Sequence, residues 1–418
     1  MKKISLLATC LLVACVVTGC AEQGPKEPVI QVVESQPINT PVPEVTEAPA
    51  GTDVEATEAP AGTDAEATEA PEATAEPEEE KIADTTIITE RYVDEKGEMQ
   101  SYLTGEWIDA SVAQRRPMAV MLGNNKGILP QYGIGQAGII YEAPVEGRIS
   151  RIMAIIEDYD ELEFVGPVRS SRDYFVYEAM AYDAIYCNWG LAVPYVEELL
   201  ASDKIDNISQ ALLGIHNPYS AAFFRRDRPG YKQEYTGYMY IDGYSDGVAH
   251  YDYATEYRNS FEQAFTFAND GWPATYDDHE DATKVYPGGK SESNRSGYGS
   301  HRPCFEYNAE DGLYYRYQFG AEHIDEYSGE QIAVANVVFK VCDGAARDAN
   351  DYLIFGVHGT GDAYIFTNGK VIEGTWSRET DSSANMFYDE NGDEVILNQG
   401  KTWICCIWKD YEEWVMWE

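Results

Sequence analysis

The chain has 418 residues, 72 of them acidic against 30 basic, for a formal net charge of −42. So few lysines and arginines cannot neutralise many phosphates, which sets nucleic acid aside as a partner. An anionic lipid surface repels such a body, and the length leaves room for two domains once the terminal segments are discounted.

Met1-Lys2-Lys3 opens the chain, and an apolar run follows from Ile4 to Val17, ending Val17-Thr18-Gly19-Cys20. A charged start, a short apolar stretch and small residues before a cut site predict a secretory signal over residues 1–19. The run is too short for a permanent membrane helix, and no other stretch is apolar enough to span. The last four residues resemble the lipobox of bacterial lipoproteins. That resemblance implies a diacylglycerol on Cys20, the mature N-terminus, and a lipid-anchored place on the extracytoplasmic face of the membrane. Two or more acyl chains anchor firmly, at about 0.8 kcal/mol per buried CH2.

From Ala21 to about Glu80 the chain is rich in Pro, Ala, Thr and Glu, and units starting at Thr46, Thr57 and Thr68 repeat with a period of eleven. The units carry Pro and Gly and almost no large apolar side chain, too little to offset the entropy of ordering. Residues 20–111 are predicted to be a disordered, self-repelling stalk and the leader to the fold. It complements a covalent anchor on an acidic body.

Residues 112–260 alternate apolar runs with helix-like ones. Pro117–Leu122, Gly138–Tyr141, Ile149–Ile156 and Ala184–Cys187 read as strands. Tyr174–Tyr182 and Pro194–Leu200 have apolar residues at helical spacing. The alternation predicts a mixed α/β or α+β N-terminal domain. Residues 261–418 read as mainly β: Gly312–Phe319, Ile332–Val341 and Ala363–Thr367 alternate or are β-branched, and Thr367-Asn-Gly-Lys370 is a hairpin signal.

Four motifs follow one another in the first of these regions: Arg116-Pro-Met-Ala-Val-Met121, Gln136-Ala-Gly-Ile-Ile-Tyr-Glu142, Val145-Glu-Gly-Arg-Ile-Ser-Arg151 and Gly166-Pro-Val-Arg-Ser-Ser-Arg172. Their order resembles the N-terminal domain of the YerB-like lipoproteins, a family named for a domain of unknown function. The strand succession after residue 312 resembles that family's C-terminal domain, so the resemblance covers most of residues 112–418. It implies a two-domain exported lipoprotein without an established activity. The chain departs from the pattern after Phe224-Arg-Arg-Asp-Arg228. There Tyr231-Lys-Gln-Glu-Tyr-Thr236 replaces the family's Pro-His-Asn-Leu-Tyr-like stretch, so a role of that His and Asn does not carry over.

Arginines are scarce here, so a cluster is informative. Arg148 and Arg151 flank the start of a strand, and Arg169 and Arg172 precede the helix expected near Tyr174. Ser170 to Asp173 has the pattern of a capping box. A helix N-terminus carries orphan N–H groups and partial positive charge, and arginines beside it make a site for phosphate, sulfate or carboxylate. The candidate anion site is therefore Arg148, Arg151, Arg169, Ser170, Ser171 and Arg172. The competing reading pairs those arginines with Glu142, Glu146 and Asp173 inside the fold. A strand, a strand and an arginine-bearing turn before a helix also invite comparison with LytR-CpsA-Psr envelope transferases, at the level of fold analogy alone.

Other constellations are incomplete. The six histidines have no metal-ligand spacing, and His216 and His358 sit in apolar or Gly-rich surroundings that favour a structural role. Ser170, Ser171 and Cys187 have no base evident in the sequence. Asp389-Glu-Asn-Gly-Asp-Glu394 places its glycine wrongly for an EF-hand and reads as a hairpin turn. No phosphate-loop or dinucleotide fingerprint appears, so no metal or cofactor is expected. After the signal cysteines and Cys20, five remain: Cys187, Cys304, Cys342, Cys405 and Cys406. Mostly free, buried thiols are favoured over a bridge from Cys342 to the 405–406 pair, whose members face opposite ways on a strand. Three functions are compatible with the residues, in this order: a non-enzymatic envelope module binding an anionic wall component or partner protein; an envelope enzyme acting on a phosphate-linked, polyprenyl-phosphate type substrate; and a passive structural lipoprotein.

Overall fold

Apolar runs buried on both sides build the centre of the molecule. The computed structural model describes residues 86–418 except 213, 216, 259 and 260. The signal, Cys20, the repeats and His216 therefore lie outside the described residues.

The main sheet has eleven strands. Across it run Glu280–Asp281, Lys370–Arg378, Gly359–Thr367, Asn336–Cys342, Thr402–Trp408, Ile139–Val145, Ile149–Ile156, Met118–Gly123, Ile185–Trp189 and Asn207–Gln210, with Met386–Asp389 beside Lys370–Arg378. Strands from 112–260 and from 261–418 thus share one sheet. They join where Thr402–Trp408 pairs in parallel with Ile139–Val145, Ile404 opposite Tyr141. Ile149–Ile156 is antiparallel to both its neighbours, so six strands around it point one way. Every residue of Met118–Gly123, Ile139–Val145 and Asn336–Cys342 is buried, as central strands covered on both faces require.

One face packs on the helix Asp173–Met180 through Tyr174, Phe175, Val176 and Ala179. The other packs on the helix Ile241–His250 through Ile241, Tyr244 and Val248, and on a six-stranded sheet through Val285, Phe305 and Tyr314. Cys405 faces the second core and Cys406 the first, the opposition expected of strand neighbours. All five described cysteines are free thiols.

The architecture is mainly β, which corrects the expectation of a mixed α/β N-terminal half. Tyr174–Tyr182 yields a real helix, Asp173–Met180. Pro194–Leu200 yields only one turn, Glu197–Leu200, and Leu191 and Ala192 just ahead of it pair with Ser171. Ordered structure also begins upstream of residue 112: Glu98–Gln100 pairs with Trp107–Asp109, and Leu103 is fully buried. The Asn368-Gly369 hairpin is as read, with Thr367 opposite Lys370 and both turn residues at positive φ, 50° and 73°. Asp389–Glu394 is a turn: the Asp389 carboxylate accepts from the amides of Asn391 and Asp393, and Tyr388 bridges to Glu394. No helix among the described residues is long and apolar enough to cross a membrane.

Candidate functional site

Met118–Gly123 and Ile185–Trp189 pair only over their first three residues, Met118–Val120 with Ile185–Cys187. Beyond that the strands part, and the segment after Pro167 is laid between their carboxyl ends. The amide of Arg169 donates to the Met121 carbonyl (2.9 Å), the Trp189 amide to the Arg169 carbonyl (3.1 Å), and the Ser171 amide to the Gly190 carbonyl (2.8 Å). A Cβ on Gly123 would stand 2.1 Å from Ile128 Cδ1 and 3.1 Å from Arg169 Cγ, so only glycine leaves room for the arginine stem. The carboxyl ends of parallel strands are where open α/β sheets place their ligands.

Three of the four predicted arginines meet here. Arg151, opposite Gly123 on the neighbouring strand, is 7% exposed, and its Nη1 donates to the Ser170 carbonyl at 2.7 Å. Burial, then the charges of Arg172 and Arg169, pull its pKa down to about 9. Arg172 is gripped by Glu146, Nε to Oε1 at 2.8 Å and Nη2 to Oε2. Burial works against its charge, but that bidentate pair outweighs burial and raises its pKa. Burial likewise opposes the charge of Glu146, and Arg172 outweighs it. Arg169 is half-buried, donates to the Glu234 carbonyl at 2.5 Å and lies 5.5 Å from the Tyr235 ring centroid. Its pKa is lowered, first by burial.

Arg148 stands apart, exposed at the hairpin tip with φ 60°. It lines a cleft of about 310 Å³ together with Arg295, Trp408 and Tyr411, and shares Glu146 with the cluster. Ser170 contributes its carbonyl to Arg151. Ser171 is buried, its hydroxyl meets that of Tyr186 at 2.8 Å, and its carbonyl accepts from Arg172 Nη1 at 2.7 Å.

The capping box does not form. Arg172 is the N-cap and makes no side-chain cap bond, while Asp173 pairs with Arg347. Of the competing pairings, Glu146 takes Arg172 as that reading required, and Glu142 turns elsewhere. Sequence reasoning missed Tyr352, which lies 5.4 Å from the Arg172 guanidinium, and the proximity of Arg225 to Arg169. Arg225 was visible as part of a basic run, but its approach depends on the three-stranded sheet that carries it.

The charge arithmetic sets this cluster apart. Five described arginines are buried: Arg116, Arg151, Arg172, Arg316 and Arg378. Four have a carboxylate at ion-pair distance, from Asp183 and Asp206, Glu146, Glu142 and Glu178 respectively. Arg151 has none at that distance: Glu146 acts on it only at longer range, and two further arginines, Arg172 and Arg169, face it. Among the described residues no group of three or more His, Cys, Asp or Glu is placed to hold a metal ion.

Comparison with known proteins agrees with this fold. Residues 103–254 match the N-terminal domain of DUF3048, a protein family of unknown function, and residues 294–404 match its C-terminal domain. A Bacillus subtilis (strain 168) protein named "Putative lipoprotein YerB" is 26% identical over 312 residues, which is 73% of this chain and 85% of that protein. The crystal structure of YerB from Bacillus subtilis superposes with a TM-score of 0.61 at 24% identity, covering 76% of this chain and 98% of that one. Glu142 and Arg151 fall in the first matched domain, and Arg295, Arg316 and His301 in the second, within one sheet-built body. The chain belongs to the DUF3048 family.

Proposed function

We propose that this protein is a lipid-anchored, extracytoplasmic envelope module that binds an anion at Arg151 and Arg169, with Arg172 as a charged neighbour, and performs no chemistry on it. The observation that carries the reading is Arg151. A buried guanidinium without an ion-paired carboxylate is unfavourable in a low-dielectric site, and two adjacent arginines increase the penalty. A phosphate or carboxylate from outside relieves Arg151 and Arg169 together, with charge-assisted hydrogen bonds. Binding is favoured over catalysis because Glu146, the carboxylate paired within the cluster, is committed to Arg172. Attachment through Cys20 is supported by the Val17–Cys20 pattern and by the word lipoprotein in the relative's name. A wall polymer phosphate or an acidic partner protein both supply the required group.

The test is a thermal-shift panel on the full chain with inorganic phosphate, polyprenyl phosphates, muropeptides and teichoic fragments. A ligand at about a hundred times its dissociation constant adds roughly 2.7 kcal/mol to stability, a rise in melting point of a few degrees. Arg169→Ala removes no ion pair and should fold, yet lose the shift. A melting point unmoved by every anion would leave the arginines structural and the protein a passive lipoprotein.

A further inference from the structure

The guanidinium groups without an ion-paired carboxylate do not stop at Arg169. Arg225 ends the edge strand Phe223–Arg225 of a three-stranded sheet, and its charge acts on Arg169. One short turn, Gln233–Tyr235, holds the two together. Arg169 Nη1 donates to the Glu234 carbonyl at 2.5 Å, and Arg225 Nη1 to the adjacent Gln233 carbonyl. Trp189 joins them from the other side: its amide donates to the Arg169 carbonyl, and its ring centroid lies 4.5 Å from the Arg225 guanidinium.

Arg151, Arg169 and Arg225 are thus held alike. Each gives Nη1 to a neutral carbonyl, of Ser170, Glu234 and Gln233 respectively, and none has a described carboxylate at ion-pair distance. The described guanidinium nitrogens that are both buried and unpartnered belong to Arg115, Arg116, Arg316 and Arg347. The remaining donors of the row therefore stay open to solvent. The nearby carboxylates are otherwise engaged: Glu146 holds Arg172, and the exposed Glu234 lies 4.0 Å from Lys232 Nζ.

Three neighbouring guanidinium charges call for dense, repeated negative charge. A small anion meets only part of the row. The side chains of an extended acidic peptide alternate between its two faces, whereas an unbranched phosphate chain carries a charge on every link. Guanidinium forks match phosphate oxygens. Arg151, 7% exposed, admits only the slim end of such a chain.

We propose that the row binds a linear chain of linked phosphates, its end at Arg151 and later phosphates at Arg169 and Arg225. This rests on the anion site proposed at Arg151 and Arg169, and adds the repeating character of the ligand and Arg225 as its outer contact.

The test is isothermal titration of the full chain with inorganic pyrophosphate, long-chain inorganic polyphosphate, poly(glycerol phosphate) and poly-L-glutamate. A phosphate chain should bind about tenfold or more tighter than pyrophosphate, with a steeper dependence on salt. The tighter of the two chains identifies the link between phosphates. Arg225→Gln should weaken the chain about fivefold or more and reduce its salt slope by roughly one, with pyrophosphate much less affected and the melting point unchanged. Arg225→Lys keeps the charge and should retain most of the chain affinity. Chains that bind no tighter than pyrophosphate, or equally well to folded Arg225→Gln, would overturn the chain assignment and leave the anion site standing. A wild type that binds neither pyrophosphate nor a chain would sink both. Poly-L-glutamate bound as tightly as the phosphate chains, with the same dependence on Arg225, would put an acidic protein in their place.

Discussion

Arg316→Met lowers the stability of the fold by about 3–5 kcal/mol, the range for removing one partner of a buried ion pair. Arg316 and Glu142 are both fully buried, and Nη2 of the arginine donates to Glu142 Oε2 at 2.7 Å. The other carboxylate oxygen accepts from Ser150 Oγ (2.5 Å), Asn124 Nδ2 (2.9 Å) and His301 Nε2 (2.7 Å). Burial alone would push the Glu142 carboxyl up, but Arg316 and these donors hold it well below the usual carboxylate range. Its stabilisation is therefore present above the ordinary carboxylate pKa and is lost as pH falls through the depressed one. His301 and His323 have lowered pKa values, first through burial, and so act as neutral rings. His323 accepts from Arg316 Nη1 on Nδ1 and donates from Nε2 to Gln131, each at 2.8 Å.

Without Arg316 the buried carboxylate keeps only neutral donors, and the variant should regain stability on acidification. Urea unfolding measures both effects. Arg316→Met/Glu142→Gln should recover most of the loss, because it removes both charges together. A single variant within about 1 kcal/mol of wild type, the scale of an exposed pair, would show that the pair does not hold the two matched domains together.

Glu157→Gln stabilises the protein at pH 8 by roughly 3 kcal/mol and leaves it unchanged near pH 4.5. Glu157 is 5% exposed, at the end of the strand Ile149–Ile156. Its Oε1 accepts from Ser101 Oγ at 2.5 Å, while its Oε2 is buried without a partner. Arg115 donates to the Glu157 carbonyl and not to its carboxylate. Burial pushes the pKa from 4.5 to about 7. The native state therefore holds the proton more tightly than the unfolded chain. Stability is full below the unfolded pKa and declines as pH rises toward 7, where the whole penalty applies. Gln keeps an acceptor for Ser101 and has no charge to bury. The difference between variant and wild type, followed by urea unfolding from pH 4.5 to 8, isolates this group from all others. A difference that stays flat with pH would mean that the carboxyl titrates normally.

The strands were legible where the chain repeats an apolar period, and Ile149–Ile156 falls at the residues expected. The Asn368-Gly369 turn was legible because few residues tolerate two successive positive φ angles. The joint between Ile139–Val145 and Thr402–Trp408 was not. Parallel pairing across some 260 residues leaves no local mark, and strands buried on both faces lose the alternation that reveals a face. Glu142 illustrates the same limit, since two of its partners, His301 and Arg316, lie 159 and 174 residues away and its chain neighbours are apolar. The arginine cluster was legible because arginine is scarce. What the sequence could not show was the allocation of carboxylates: Glu146 to Arg172, Asp173 to Arg347, and none to Arg151. The hydroxyl contact of Ser171 was not legible, because its neighbour in space, Tyr186, lies on another strand.

The most direct measurement is isothermal titration of the full chain with inorganic pyrophosphate, in wild type and in Arg169→Gln. The anion site predicts saturable binding at one site, weakened about tenfold or more by the substitution, equivalent to roughly 1.4 kcal/mol, with an unchanged melting point. Absence of binding in the folded wild type, or equal affinity in the two proteins, would contradict it.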